Sequence, residues 1–124
     1  MAVRILIVDD EEVLVYLLRQ ALLSRWPDGR VDTAYSGEEG LSHLAVNAYD
    51  LIITDYRMPG FSGLELIKGV RYLDPRTPIV LMTAYGSEEL GREADGLGVA
   101  HYFKKPFDMD EVLSVVEQLI PGSK

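Results

Sequence analysis

Residues 50–60 read DLIITDYRMPG, and this segment carries the clearest signal of the fold. Residues 51–54 form a short run of apolar and β-branched side chains, which is typical of a strand buried on both faces of a parallel sheet. Asp55 stands where this strand ends, and the Met-Pro-Gly at residues 58–60 breaks the chain directly afterwards. Open α/β sheets bind ligands at the carboxyl ends of their strands, so Asp55 is a candidate functional residue. Taken alone, it is more simply explained as a strand or helix cap.

The composition is that of a soluble protein with a single core. The chain has 124 residues, of which 48% are hydrophobic and 26% charged, as in ordinary globular domains. Its net charge of −8 argues against direct binding to nucleic acid or to anionic membranes. The absence of cysteine excludes disulfides and thiolate metal sites. No segment is apolar for long enough to be a signal peptide or to span a membrane, so we expect a cytoplasmic protein without membrane insertion.

Strand and helix patterns alternate along the whole chain. Strands are predicted at residues 3–8, 30–35, 51–54, 78–83 and 99–103, and helices at 13–26, 37–47, 64–73, 87–97 and 109–120. The predicted helix caps are Asp10, Ser36 in a capping box with Glu39, and Asp108. This repetition predicts an α/β domain with parallel strands and right-handed crossovers over residues 1–120. Residues 121–124 are expected to be a tail or the start of a linker.

Polar side chains of a consistent kind follow four of the five predicted strands. They are Asp9 and Asp10 after the first, Asp55 after the third, Thr83 after the fourth and Lys105 after the fifth. The carboxyl ends of parallel strands share one edge of the sheet, so we expect these side chains to converge. Two carboxylates about 4 Å apart repel by about 4 kcal/mol at an effective dielectric constant near 20, and one lysine offsets only part of this repulsion. Oxygen ligands of this kind predict a site for Mg²⁺, with Mn²⁺ as the alternative.

A cation, a lysine and a hydroxyl around one carboxylate have the chemistry of a phosphoryl-transfer site. Asp55 would be the nucleophile. The metal and Lys105 would neutralise charge on the equatorial oxygens of the transferring group, and Thr83 would donate a hydrogen bond to one of them.

These residues, in this order, resemble the receiver domain of the response regulators of two-component signalling. The motifs that carry the resemblance are Asp9-Asp10, Asp55 with Met58-Pro59 and Gly63, Thr83-Ala84, Tyr102, and Lys105-Pro106-Phe107. Each motif is weak by itself, whereas the five together are specific and extend over essentially the whole chain. The resemblance implies a flavodoxin-like, doubly wound (βα)5 fold whose five parallel strands lie in the order 2-1-3-4-5.

The resemblance also implies how Asp55 works. Asp55 would be phosphorylated by a histidine kinase or a phosphotransfer protein. Asp10 and Asp55 would bind Mg²⁺ directly, Asp9 would act through water, and the backbone carbonyl of Arg57 would be the third protein ligand. The domain would be a signalling module rather than an enzyme, although it would promote its own phosphorylation and dephosphorylation.

Further roles follow from the same resemblance. Lys105 would pair with the phosphoryl group, and its bond to Pro106 would be cis. Thr83 and Tyr102 would form a switch pair that changes the surface seen by a downstream effector, and the small Ala84 would keep the phosphoryl site open. We expect Arg57 and Tyr85, each two residues past a site residue, to set the dephosphorylation rate.

Two surface features depart from an ordinary amphipathic pattern. The first predicted helix is apolar throughout residues 13–18, so some of these side chains should be exposed, with Leu14 and Leu17 as candidates for docking a kinase helix. The fourth predicted helix contains two glycines and is a candidate for the element that moves in the switch.

Three alternatives use the same fold class. A hydrolase of the haloacid dehalogenase type also has a nucleophilic aspartate at a strand end, but it needs a carboxylate at the position of Arg57. A flavodoxin-like FMN binder needs a phosphate-binding loop where residues 9–12 are acidic. A degenerate receiver that works without phosphorylation would not need the complete set of site residues.

Overall fold

A computed structural model describes residues 2–58, 63–84 and 88–120, so the expected tail at 121–124 lies outside the described residues. Strands and helices alternate as β1 (Arg4–Val8), α1 (Glu12–Arg25), β2 (Arg30–Ala34), α2 (Gly37–Val46), β3 (Leu51–Asp55), α3 (Gly63–Leu73), β4 (Ile79–Thr83), α4 (Glu88–Gly96), β5 (His101–Lys104) and α5 (Met109–Leu119). None of the helices in the described ranges has the length and apolar character needed to cross a lipid bilayer.

The five strands form one parallel sheet in the order β2-β1-β3-β4-β5. The predicted α/β fold and strand order are therefore confirmed. β3 is the central strand, and β1 lies between β3 and β2, so that Ile5 pairs with both Val31 and Leu51. β2 and β5 are the two edge strands. Asp55 is paired with Met82, so the end of β3 is held by the sheet up to its last residue.

Two apolar cores lie on opposite faces of the sheet, where the composition predicted a single one, because the sheet separates the helices that cover it. Alternate residues of β1 point to opposite sides, as expected for a strand. Ile5 and Ile7 pack with α1 and α5, whereas Leu6 and Val8 belong to the core that includes α3. Every residue of β3 and β4 is buried, which explains why these strands have continuous apolar runs rather than alternation.

The helix caps agree with the sequence in two cases out of three. Ser36 accepts a hydrogen bond from the Glu39 N–H at 3.1 Å, and Asp108 accepts one from the Asp110 N–H at 2.9 Å. The predicted cap at Asp10 is wrong. Glu11 occupies the N-cap position of α1, with no hydrogen bond from its side chain to the helix end. The strand-to-helix loop is held instead by Asp9, whose Oδ1 accepts the Glu11 N–H at 2.9 Å.

Candidate functional site

Three strands deliver buried polar side chains to the carboxyl edge of the sheet. Asp9 follows β1 and Thr83 ends β4, and both are fully buried, while Asp55 ends β3 and is 6% exposed. Lys105 comes just after β5, where its backbone N–H donates to the Thr83 carbonyl oxygen at 2.7 Å. The parallel topology therefore brings together residues that are far apart in the sequence.

The ammonium group of Lys105 lies among three carboxylates. Its Nζ is 2.8 Å from Asp9 Oδ2, 3.3 Å from Asp55 Oδ2 and 2.5 Å from Glu11 Oε1. The Lys105 side chain is only 11% exposed, so these contacts are poorly screened by water. One positive charge faces three negative ones, which leaves the site with an excess of negative charge.

The protonation equilibria reflect this crowding. Burial raises the pKa of Asp9, and burial together with the nearby Asp9 charge raises the pKa of Asp55. Burial opposes the charge of Lys105, but hydrogen bonds from its ammonium to Asp9 and Glu11 outweigh this effect and raise the Lys105 pKa. The two aspartates are thus ionised at a free-energy cost that an additional cation would reduce.

Among the described residues, the group of acidic side chains suited to sharing a cation consists of Asp9, Glu11 and Asp55. Each offers one carboxylate oxygen within 4.8 Å of the others. Such all-oxygen donors fit Mg²⁺ or a similar hard cation. Glu11 was not among the site residues predicted from the sequence. Asp10 was predicted, but it is exposed and outside this group. Asp10 as a direct metal ligand stays a prediction.

A turn directly after β1 explains the presence of Glu11. The backbone bends at Asp10, and the Glu11 N–H donates to Asp9 Oδ1 at 2.9 Å. This turn brings Glu11 back beside Asp9 and within 2.5 Å of Lys105, while Asp10 is exposed. The run of four acids in the sequence does not reveal this path.

The start of α3 fixes the position of Asp55. The Asp55 carboxylate accepts a hydrogen bond from the backbone N–H of Arg57. The Gly63 N–H donates to the Tyr56 carbonyl oxygen at 2.7 Å, and a Cβ atom at Gly63 would lie 2.1 Å from the Asp55 carbonyl oxygen. Only glycine fits this close approach of helix and strand. Pro59 lies outside the described residues, and metal binding by the Arg57 carbonyl stays a prediction.

The remaining predicted residues lie around the same edge. Tyr102 is partly buried against the core that includes α3, and Ala84 is exposed beside Thr83. The predicted cis bond between Lys105 and Pro106 is confirmed. Tyr85 lies outside the described residues. The switch role of Thr83 and Tyr102 stays a prediction.

An apolar cavity of about 470 Å³ opens next to Lys105. It lies between the start of α1 and the segment joining β5 to α5, and its lining residues are Glu11, Leu14, Leu17, Ala84, Lys105, Pro106, Phe107 and Met109. The predicted exposure of apolar side chains on α1 is confirmed, because Val13 is 74%, Tyr16 62% and Leu17 52% exposed. This apolar surface therefore lies directly beside the charged site around Lys105.

Solved structures with this fold include two close matches in shape. The response regulator TrrA from Thermotoga maritima, in complex with Mg(2+)-BeF, is 36% identical with a TM-score of 0.83 over 95% of this chain and 99% of that one. A chemotaxis response regulator of Vibrio cholerae is 28% identical with a TM-score of 0.87 over 97% of this chain and all of that one.

Sequence relatives agree with the structural ones. Sporulation initiation phosphotransferase F of Bacillus subtilis is 31% identical over 95% of this chain and 94% of that protein. The DNA-binding transcriptional regulator NtrC and the transcriptional regulatory protein ZraR of Salmonella typhimurium are 35% and 36% identical, and the chain spans 24% and 27% of their lengths. The model of the response regulator receiver domain family matches residues 5–117. The chain therefore belongs to the receiver domains of response regulators.

Proposed function

We propose that Asp55 accepts a phosphoryl group and that its phosphorylation switches the domain between two signalling states. The observation that carries this proposal is the placement of Lys105 Nζ, 3.3 Å from Asp55 and 2.8 Å from Asp9, at the carboxyl edge of the sheet. An ammonium in this position is suited to neutralise a phosphoryl group on Asp55. One relative that resembles this domain over nearly its full length is a phosphotransferase by name.

Bond making and bond breaking take place at phosphorus. An Asp55 carboxylate oxygen forms a bond to phosphorus while the bond between phosphorus and the donor breaks, and the donor is a phosphohistidine or an acyl phosphate. Lys105 neutralises charge on the transferred group, and Thr83 donates a hydrogen bond to it. Water later attacks phosphorus, the bond between phosphorus and the Asp55 oxygen breaks, and inorganic phosphate leaves the free carboxylate.

Mg²⁺, or Mn²⁺ in its place, is the proposed cofactor. Asp10, Asp55 and the carbonyl of Arg57 would hold it, with Asp9 acting through water, and the proximity of Glu11 to Asp9 and Asp55 supports a cation at this position. When bound, the cation supplies positive charge next to the phosphoryl oxygens. The TrrA structure was solved with Mg(2+)-BeF, which has the chemistry of this proposed state.

The proposed phosphoryl donors are a histidine kinase and a phosphotransfer protein, and the apolar surface around Leu14 and Leu17 is the proposed docking place for a donor helix. Its position next to Lys105 supports this choice, because a helix bound there lies beside the reacting groups. A folded Leu14→Asp variant should accept phosphate from acetyl phosphate normally and from the kinase slowly. Full-rate transfer from the kinase contradicts the docking role.

The output is proposed to be an effector domain or a separate effector protein in the cytoplasm. Direct contact with nucleic acid is not part of this proposal because the net charge is −8. The dehalogenase-type alternative gains no support, since the position that would carry its acid–base carboxylate is an exposed arginine, Arg57.

Acetyl phosphate with Mg²⁺ provides the direct test. Intact-protein mass spectrometry should detect one phosphoryl group on the wild-type domain and none on Asp55→Asn. Asp50→Asn is the matched control, because Asp50 lies at the opposite end of β3 and its carboxylate binds only the Arg4 backbone N–H in the hydrogen bonds described. This control should be phosphorylated like the wild type. A wild-type domain that forms neither a phosphoryl nor a beryllofluoride adduct overturns the proposal.

A further inference from the structure

Glu11 makes the shortest contact to the Lys105 ammonium. The distance from Lys105 Nζ is 2.5 Å to Glu11, compared with 2.8 Å to Asp9 and 3.3 Å to Asp55. The Glu11 side chain is 59% exposed, whereas Asp9 and Asp55 are buried. The Lys105 ammonium thus lies nearer to the exposed Glu11 than to Asp55, the residue it is proposed to serve.

The backbone of Glu11 is held on both sides, which keeps its side chain within reach of Lys105. Its N–H donates to Asp9 Oδ1 at 2.9 Å, and its carbonyl oxygen accepts the Val15 N–H at 3.0 Å. Glu11 is therefore tied to the buried aspartate through one group and to the first turn of α1 through the other.

We propose that Glu11 is a positioning residue that holds Lys105 at the mouth of the site and competes with the phosphorylated Asp55 for its ammonium group. This inference rests on the proposed function. Lys105 and a metal cation compete for Asp9 and Asp55, so a carboxylate that offers Lys105 another partner makes room for the cation. The same carboxylate must release Lys105 when the phosphoryl group arrives.

Glu11 should therefore have opposite effects on the affinities for two ligands, Mg²⁺ and a phosphoryl group. The Glu11 carboxylate adds negative charge and draws Lys105 outward, and both effects favour binding of Mg²⁺. It retains the ammonium group that a phosphoryl anion needs, and its charge repels that anion, so it disfavours the phosphorylated state. If Glu11 had a merely structural role, its substitution would lower the affinity for both ligands.

The test measures each ligand separately in Glu11→Gln. Isothermal titration calorimetry gives the Kd of Mg²⁺ alone, and titration with beryllofluoride at saturating Mg²⁺ gives the affinity for a phosphoryl analogue. We expect Mg²⁺ to bind about threefold to tenfold more weakly and beryllofluoride about threefold to tenfold more tightly than in the wild type.

Glu12→Gln is the matched control, because it removes the same charge from the next residue, the first of α1. Among the described residues, the ion-pair partners of Lys105 are Asp9, Glu11 and Asp55, so Glu12 is not one of them. This control should change both affinities less than twofold. The inference is overturned if the two variants have equal effects. It is also overturned if Glu11→Gln changes the affinities for Mg²⁺ and beryllofluoride in the same direction.

Failure of the inference is distinguishable from failure of the proposed function. If wild type forms the beryllofluoride adduct, Asp55→Asn does not, and Glu11→Gln behaves as the control does, only the role of Glu11 is refuted. If wild type forms no adduct, the function itself is refuted. Unfolding by urea verifies that both glutamine variants are folded at the temperature of the titrations.

Discussion

Two basic side chains at opposite edges of the sheet each contact three oxygen atoms. Lys105, at the carboxyl edge, contacts carboxylate oxygens of Asp9, Glu11 and Asp55. Arg71, on α3, donates to backbone carbonyl oxygens of Leu97, Thr77 and Gly98 at 2.9, 2.7 and 2.9 Å. These carbonyls precede β4 and β5, so Arg71 lies at the amino edge.

The chemistry of the oxygen atoms separates the two roles. The carbonyl partners of Arg71 are neutral and belong to the backbone, and the planar guanidinium matches their fixed positions. Burial lowers the pKa of Arg71, because the charge is removed from water. The partners of Lys105 are charged side chains, and they are the acidic group suited to sharing a cation. The amino edge therefore serves stability, whereas the proposed role of the carboxyl edge is to exchange ligands.

The largest expected effect comes from adding one methyl group at each edge. Gly63→Ala would place its Cβ 2.1 Å from the Asp55 carbonyl oxygen, so helix and strand must separate, at a cost of about 3 kcal/mol or more in the free energy of unfolding. Gly98 has φ 71° but a nearest described neighbour at 3.7 Å, so Gly98→Ala should cost only about 1 kcal/mol.

Urea denaturation of both variants measures this difference. Gly91→Ala is the control, since Gly91 lies inside α4 and no described atom is within 4 Å of its added Cβ. It should stabilise the domain by up to about 1 kcal/mol. Similar losses in Gly63→Ala and Gly98→Ala would show that close packing at Asp55 is unimportant.

An intermediate effect is expected from removing each cation. Arg71→Ala leaves three carbonyl oxygens without their shared donor and should lower stability by about 2 kcal/mol, whether or not Mg²⁺ is present. Lys105→Ala should lower it by about 1 kcal/mol in metal-free buffer, because the carboxylates lose their counter-charge. Saturating Mg²⁺ should restore this loss.

Thermal unfolding with and without Mg²⁺ compares the two variants. Arg71→Lys serves as the control, since one ammonium cannot reach three carbonyls and should recover little of the lost stability. If Mg²⁺ stabilises Arg71→Ala and Lys105→Ala equally, beyond its effect on wild type, the proposed division between the edges is wrong.

The smallest expected effect concerns two aspartates, Asp55 and Asp32, whose ionisation should change the stability of the fold in opposite directions. Burial and the Asp9 charge raise the pKa of Asp55, so its ionisation costs stability as the pH rises from the unfolded-state pKa through the folded-state pKa. In β2, burial opposes ionisation of Asp32, but hydrogen bonds from Tyr49 and Arg30 outweigh it and lower the Asp32 pKa. The stability that Asp32 contributes is present above its unfolded-state pKa and is lost as the pH falls through its folded-state pKa.

Substitution by asparagine should therefore act in opposite directions. At pH 7 without metal, Asp55→Asn should raise the free energy of unfolding and Asp32→Asn should lower it. Both differences should shrink below the pKa of an ordinary aspartate, and urea denaturation from pH 3 to pH 7 checks this. Destabilisation by Asp55→Asn at neutral pH would contradict the raised pKa.

The elements that the sequence predicted well are those governed by local rules. The continuous apolar runs of β3 and β4 and the caps at Ser36 and Asp108 depend on neighbouring residues, and their patterns were sufficient. The approach of Asp9, Asp55 and Lys105 followed from parallel topology alone. The cap of α1 was misplaced because four consecutive acids offer several similar choices, which only the backbone path resolves.

The contacts that were missed leave no local pattern. Glu11 joins the site because the backbone bends at Asp10 and the Glu11 N–H bonds to the Asp9 side chain, a path that the run of four acids does not reveal. Arg71 binds carbonyl groups, which every residue has, so its three partners carry no signature in their side chains.

The two edge strands have a consequence for the domain at high concentration. Unpaired backbone groups along an exposed strand invite another chain to add to the sheet, and charged side chains oppose this. β2 presents the exposed Arg30, and β5 the exposed Lys104. These side chains disfavour growth of the sheet from one molecule to the next. They therefore act against fibrillar aggregation without covering the carboxyl edge of the sheet, which lies at right angles to this direction.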